Sequence, residues 1–364
     1  MRRHLWLLLT ATSALVLIVQ IPLPHATAWH FFEEATDLLL SERGLHLYAD
    51  RPDLQFGPLS IVAALPLTAL GRAGSWAAMV LFSAVGIGIV WVLADSVRRI
   101  RPELDKEAFE RVVLFAGVLF LVVWGDVAVR TAHIDDAITI AATAAAVNAI
   151  VRGRPWWAVV GLAVAGAAKP WGLLFAPLAA VLPGTRRWVR VLLVAGVAGL
   201  TWIPFVIAEP GTLDASSFEI ANELSSSLRA LGVSAATTPG WVRPVQLIGG
   251  TALAAALVWR GRWTAAVMAG VAVRLLIDPA ANRYYTVGLV FGMLLFDLIR
   301  RPERLPWTAL GAAAVLEFGQ FEGFPPTLAG WGRMAVTVAV IGVAVTAAAS
   351  PLPAIRYRQS AAPD

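Results

Sequence analysis

Apolar runs about as long as a bilayer is thick recur from one end of this chain to the other, and that recurrence limits the fold more than any other feature. A helix satisfies its backbone hydrogen bonds within one segment, so repeated apolar runs dictate a bundle of membrane helices. The runs fall at 5–22, 76–97, 111–124, 137–151, 155–168, 171–183, 191–208, 244–259, 263–278, 284–299, 306–318 and 330–349. Of 364 residues, 58% are hydrophobic and 15% charged, with mean hydropathy +0.71. That leaves too little charged surface for a soluble domain. The expected fold is an all-α polytopic integral membrane protein, a single transmembrane domain over residues 1–364 with about twelve transmembrane helices. Cysteine is absent, which excludes disulfides and thiolate metal sites. The pI of 10.2 does not indicate nucleic acid: among 29 basic residues only Lys106 and Lys169 are lysine, and most arginines end apolar runs.

Charge placement sets the expected topology. A basic start precedes the first run, and residues 26–28 match a signal-peptidase site, but the run is longer than a signal core and Pro22 and Pro24 follow it, which favours a retained helix. Residues 58–70 carry Pro66 and span only about 20 Å as a helix, against about 30 Å for a hydrocarbon core. If this segment dips in and returns, the loop 98–111 with its five basic residues faces the cytoplasm. The same then holds for Arg152/Arg154, Arg186/Arg187/Arg190, Arg260/Arg262, Arg300/Arg301/Arg304 and Arg356/Arg358, and both termini are cytoplasmic. A full crossing inverts all of them. The first arrangement puts 28–57, 125–136, the Lys169 turn, 209–243, 279–283 and 319–330 outside. The Ala-, Gly- and Arg-rich composition points to a bacterial plasma membrane.

The outer segments collect the unusual polar residues. Residues 28–58 pack His30, Glu33, Glu34 and Asp37 within eight positions, and His30, Glu34 and Asp37 share one helical face. That face suits proton transfer beside a membrane; an amphipathic helix with Phe31, Phe32, Leu38 and Leu39 in lipid is the plain alternative. Further on, His133, Asp135 and Asp136 open a span, preceded by Asp126 and Arg130. Their chemistry suits a divalent cation, or the placing of a hydroxyl and a phosphate. One aspartate as a helix N-cap is the structural alternative, stabilising by about 1 kcal/mol. Lys169 joins two short spans, as a snorkelling lysine or an anion ligand. Arg283 opens another run and suits a phosphate through its planar fork. Arg274 lies within a run with Asp278 four residues on, a spacing that neutralises both. The loop 209–243 shows a helical pattern at Phe218, Ala221, Leu224 and Leu228, as a lid or a solvated loop. Glu317, Glu322 and Trp331 mark a further outer loop without an assigned role. No Walker, GxSxG, HExxH or dinucleotide motif is present.

The order of these features resembles the GT-C superfamily of polytopic glycosyltransferases, and most closely glycosyltransferase family 87, the bacterial polyprenyl-phosphate-mannose-dependent enzymes. The resemblance rests on an acidic helix after the first span, the element from Gly44 to Tyr48, the QFGPL element from Gln55 to Leu59, the motif from His133 to Asp136, and Lys169-Pro170. It implies a GT-C-like fold with a helical first outer loop. It also implies transfer of a sugar, mannose in that family, from a polyprenyl-phosphate donor to an extracytoplasmic glycolipid or polysaccharide acceptor, with inversion. The second acidic motif falls on Asp135 and Asp136. Donor and acceptor contacts fall on Tyr48, Gln55, His133, Lys169, Arg283 and Tyr284. The family's first-loop aspartate falls at or beside His30, leaving His30, Glu33, Glu34 and Asp37 as candidate bases, with lost activity as the alternative. No cofactor beyond an optional divalent cation is implied, and no soluble nucleotide. A lipid transporter or flippase is the competing reading, supported by Arg274 but weakened by the lack of an internal repeat. A non-catalytic scaffold is the third.

Overall fold

The computed structural model describes residues 2–184 and 186–351, so the basic pair Arg356/Arg358 lies outside the described residues. The first half comprises α1 (Arg2–Gln20), α2 (Trp29–Leu39), the short α3 (Leu47–Asp50), α4 (Pro58–Thr68), α5 (Gly74–Ile100), α6 (Lys106–Gly125), α7 (Ile134–Val151) and α8 (Pro155–Ala168). The second comprises α9 (Arg187–Leu200), α10 (Ile203–Ala208), α11 (Ser227–Ala230), α12 (Val242–Trp259), α13 (Ala266–Leu276), α14 (Tyr284–Arg300), α15 (Trp307–Phe318) and α16 (Pro326–Thr346). The protein is all-helical, apart from one antiparallel bridge between Ala221 and Thr237 among the described residues.

Among the described residues six helices are long and apolar enough to cross a membrane: Arg3–Gln20, Gly71–Ile100, Lys106–Thr131, Ile134–Val151, Val242–Trp259 and Pro326–Thr346. The other runs form shorter helices. Residues Pro170–Ala180 are a 3-10 helix, with Pro177 inside and Gly172 pressed on Ala165, where an added Cβ would stand 2.4 Å from the carbonyl oxygen. Missing N–H groups and close backbone contact favour this tighter winding.

The fate of 58–70 follows from contacts at its two ends. Gly57 N–H donates to Ala168 O and Ser60 Oγ to the same oxygen, tying the start of α4 to the end of α8. An added Cβ on Gly57 would meet Ala167 O at 1.9 Å, so glycine is required by this approach. After α4 the chain turns through Gly71, at φ +55°, into α5. The start of α5 meets Trp29 of α2 at Gly74, and Trp76 meets His25, which follows α1. Both ends of α4 therefore sit at one end of the bundle.

The same end gathers Gly125 against Gln20, residues 26–28 hydrogen-bonded to 129–131, His46 beside Glu209, and Gln320 Nε2 donating to Ala281 O. At the opposite end Asp95 accepts from Arg99, Asn148 and Arg152, while Arg262 and Arg300 donate to the Val345 and Ala348 carbonyls. The helical pattern at Phe218–Leu228 is not realised as a helix there. Residues 218–223 form no helix, held by Thr238 N–H donating to Ile220 O and Glu223 N–H to Pro279 O; 224–226 make a turn, and only Ser227–Ala230 is helical. Tertiary partners for the backbone outweigh a weak local periodicity.

Candidate functional site

The site is built at the start of α7. The end of α6 continues as a π-helix over Asp126–Thr131, and the chain then turns through Ala132 in the left-handed region, at φ 53°. A non-glycine residue there is uncommon, and its backbone is fixed by its N–H on Val127 O. The turn sets His133 just outside α7 and Asp135 and Asp136 in its first turn.

Neither aspartate caps the helix, which corrects the N-cap alternative. His133 occupies the cap position with extended backbone and no side-chain cap bond. Both carboxylates instead face Lys169, at the end of α8. Lys169 Nζ lies 2.7 Å from Asp135 Oδ2 and 2.6 Å from Asp136 Oδ2. His133 Nδ1 is 3.1 Å from Asp135 Oδ1, and Trp171 Nε1 donates to Asp136 Oδ1 at 3.0 Å. Asp135 and Asp136 are 1% and 2% exposed and Lys169 9%, so the lysine does not snorkel to water. Buried carboxylates demand a cation, and this lysine supplies it.

The three acidic and histidine side chains also bring one ligand atom each within 4.8 Å, a donor set that fits a small cation. Lys169 already bridges both carboxylates as a monovalent cation, so a metal ion there must displace the ammonium. Around this centre the His133 ring lies 4.1 Å from that of Tyr284, and the Lys169 ammonium stands over the Tyr284 ring at 5.4 Å. Beside it the Arg274 guanidinium is held between Trp171, at 5.1 Å, and Tyr285, at 4.4 Å. Its Nε is 3.7 Å from Asp278 Oδ2, and Gln246 Nε2 donates to the same carboxylate. The expected Arg–Asp pair is thus formed, among aromatic rings.

The first-loop candidates divide. His30 and Asp37 are exposed, with His30 resting on Phe31 at 4.0 Å. Glu33 accepts from Trp29 Nε1, and Glu34 pairs with Arg51. The helix reaches the site through Phe32, whose ring is 6.3 Å from His133. Tyr48 is a brace: it is wholly buried against Trp202 and Phe205 and donates its hydroxyl to Phe56 O at 3.0 Å, leaving nothing to offer a substrate. Gln55 faces the site's flank, where Oε1 accepts from Arg243 Nη2 at 2.8 Å. Arg283 is turned away from the paired aspartates and donates to Gln320 O at 2.6 Å. In the same loop Arg51 hydrogen-bonds Asp53 and Arg43 hydrogen-bonds Asp50, holding both carboxyls below the usual aspartate range.

Trp171, Tyr285, Arg243 and Arg333 were not foreseen as site residues. Arg333 carried a usable signal, since an arginine inside the run 330–349 is costly in lipid unless it faces the bundle interior. Trp171 had none beyond following Lys169-Pro170. Compared with family models, with curated proteins and with solved structures, the chain gives no match.

Proposed function

We propose that this protein is a membrane glycosyltransferase of GT-C-like architecture that transfers a sugar, mannose by its family resemblance, from a polyprenyl-phosphate donor to a glycolipid or polysaccharide acceptor. In this reading the arginine-rich end faces the cytoplasm and the Asp135–Asp136–Lys169 end the outside of a bacterial plasma membrane. The apolar segments then make twelve crossings, and α4 is re-entrant. The observation that carries the reading is the buried Lys169-bridged aspartate pair, joined through His133 and Phe32 to the polar first loop. Ionisable groups gathered at one end of a membrane bundle fit chemistry at a membrane surface better than a path through it.

The reaction follows from the chemistry of such a donor. The acceptor oxygen forms a bond to the anomeric carbon as the bond from that carbon to the phosphate oxygen breaks. The phosphate leaves with the electron pair, and the acceptor proton passes to a base. Direct displacement inverts the anomeric centre. Asp135 and Asp136 are both engaged by the Lys169 ammonium and serve to position Lys169 and His133. The base role then falls to the first loop, where His30 and Asp37 are open to an acceptor and Glu34 becomes so when Arg51 releases it. Cationic groups stabilise the departing phosphate.

The test is transfer by the purified protein in lipid, from radiolabelled polyprenyl-phosphate mannose to a panel of membrane glycolipids, comparing wild type with H30A, E34A and D136A. Loss of transfer in a variant that still folds supports the enzyme and names its residue. Wild-type transfer in all three overturns the catalytic assignment. The second reading, a lipid-phosphate flippase, is favoured by the buried Arg274 and Arg333 within α13 and α16. It predicts labelled lipid moved across the bilayer with no transfer.

A further inference from the structure

The neighbouring helices α15 and α16 pack closely at one end only. Toward the Lys169 end they touch: a Cβ added at Gly319 would stand 3.2 Å from Ala329 Cβ, and one at Gly332 would stand 3.3 Å from Val315 Cγ1. Toward the arginine-rich end they part, and a Cβ added at Gly311 would meet nothing within 4 Å. Between them, against Met268 of α13 and Met293 of α14, lies an apolar cavity of about 260 Å³, walled by Gly311 on α15 and Val343 on α16. Trp307, Gly311 and Ala339 at its edge are exposed, so it opens sideways onto the surface that a bilayer covers. An empty apolar void forfeits the contacts of its lining, and one of about 150 Å³ already takes up a benzene. In a bilayer the hydrocarbon at hand is the chain of a lipid.

The rim of the cavity selects the lipid. The loop from α14 to α15 carries Arg301 and Arg304, both exposed, and Arg304 precedes Trp307 by three residues. Arg262 and Arg300 stand at the same end, donating to the Val345 and Ala348 carbonyls just beyond Val343. The carboxylates of this region are Asp297 and Glu303, and Asp297 accepts from Thr308 Oγ1 and the Ala309 N–H at the start of α15. None of the four arginines makes an ion pair among the described residues, so positive charge is in excess at the mouth of an apolar cavity. We propose that the cleft between α15 and α16 holds an acyl chain of an anionic phospholipid whose headgroup is bound by Arg301 and Arg304. Planar guanidinium forks suit a phosphodiester, and basic clusters at the ends of membrane helices attract anionic headgroups. A second copy of the chain related by a two-fold axis along the membrane normal would set these arginines against one another, so charge favours the lipid. The site lies at the end of the bundle away from Lys169 and does not rest on sugar transfer.

The test is native mass spectrometry of the full chain, delipidated in detergent and titrated with phosphatidylglycerol or with phosphatidylcholine of matched chains. One phosphatidylglycerol is expected to bind per chain, about tenfold more tightly than phosphatidylcholine. R301Q combined with R304Q is expected to bring the two lipids within about threefold of each other. G311L puts a side chain into the cavity and is expected to weaken both lipids about tenfold. Its thermal midpoint without lipid stays at or above wild type, because it fills space and replaces a glycine within a helix. A339L probes the same cavity from α16, should G311L fail to fold. R154Q, at the same end but before α8, is expected to leave binding within about twofold. The proposal is overturned if phosphatidylcholine binds as tightly as phosphatidylglycerol, or if R154Q acts as strongly as the arginine pair. It is equally overturned if G311L and A339L bind as wild type, or if the chain forms dimers that exclude lipid.

Discussion

Removing the ammonium of Lys169 is the most informative single perturbation of this protein. Its Nζ lies 2.7 and 2.6 Å from oxygens of two carboxylates that are almost wholly buried. At an effective dielectric of about 20, each contact is a gross attraction of roughly 6 kcal/mol, much of it offset by the cost of desolvating all three groups. Breaking the arrangement from one side does not recover that cost. K169M keeps the length and apolar stem of the side chain but strands two like charges side by side, and is expected to destabilise by about 3–5 kcal/mol. D136N in the K169M background removes one stranded charge, so the double variant is expected to be more stable than K169M, with a coupling of about 1–3 kcal/mol between the two sites. Equilibrium unfolding in mixed micelles, reading K169M, D136N and the double variant as a cycle, measures both numbers. A K169M stability within about 0.5 kcal/mol of wild type, or perfect additivity in the cycle, refutes the bridge.

Other consequences are smaller or more local. Y48F loses the bond to Phe56 O and is expected to cost about 0.5–1.5 kcal/mol in the same unfolding assay without changing substrate binding. G57A sets a Cβ 1.9 Å from Ala167 O, so the start of α4 must leave the Lys169 turn; hydrogen exchange is expected to show lost protection at Gly57 and around Ser60. H30A and D37A, at exposed positions, are expected to stay within about 0.5 kcal/mol of wild type, so lost transfer in either reports chemistry and not folding. Because Arg51 depresses the folded-state pKa of Asp53, and Arg43 that of Asp50, their contribution is present above the unfolded value of about 3.9 and is lost as pH falls through the folded one. Hydrogen exchange across 44–57 is expected to speed up below about pH 4 ahead of the membrane helices.

Much of the architecture was legible in the chain. Every expected apolar run lies on helix, because backbone groups in an apolar setting must be satisfied within the segment. The brevity of the helix at 58–70 was likewise legible, since Pro66 and the length of the apolar run are local features. The aspartates at 135 and 136 were visible as ionisable groups where lipid makes them expensive. Their roles were not visible. A cap and a buried ion pair use the same residue at the same position, and only the placing of Lys169, thirty-three residues on from Asp136, decides between them.

Sequence alone determined that this chain is an all-helical membrane protein with its acidic and histidine side chains clustered in particular loops, because hydropathy and helix length are local properties. Tertiary structure alone decided which charges meet. It put Tyr48 into the core and turned Arg283 toward Gln320. It also set Arg274 against Asp278 and between the rings of Trp171 and Tyr285. Charge pairing depends on distances of a few ångströms between segments far apart in the chain, and no local pattern encodes them.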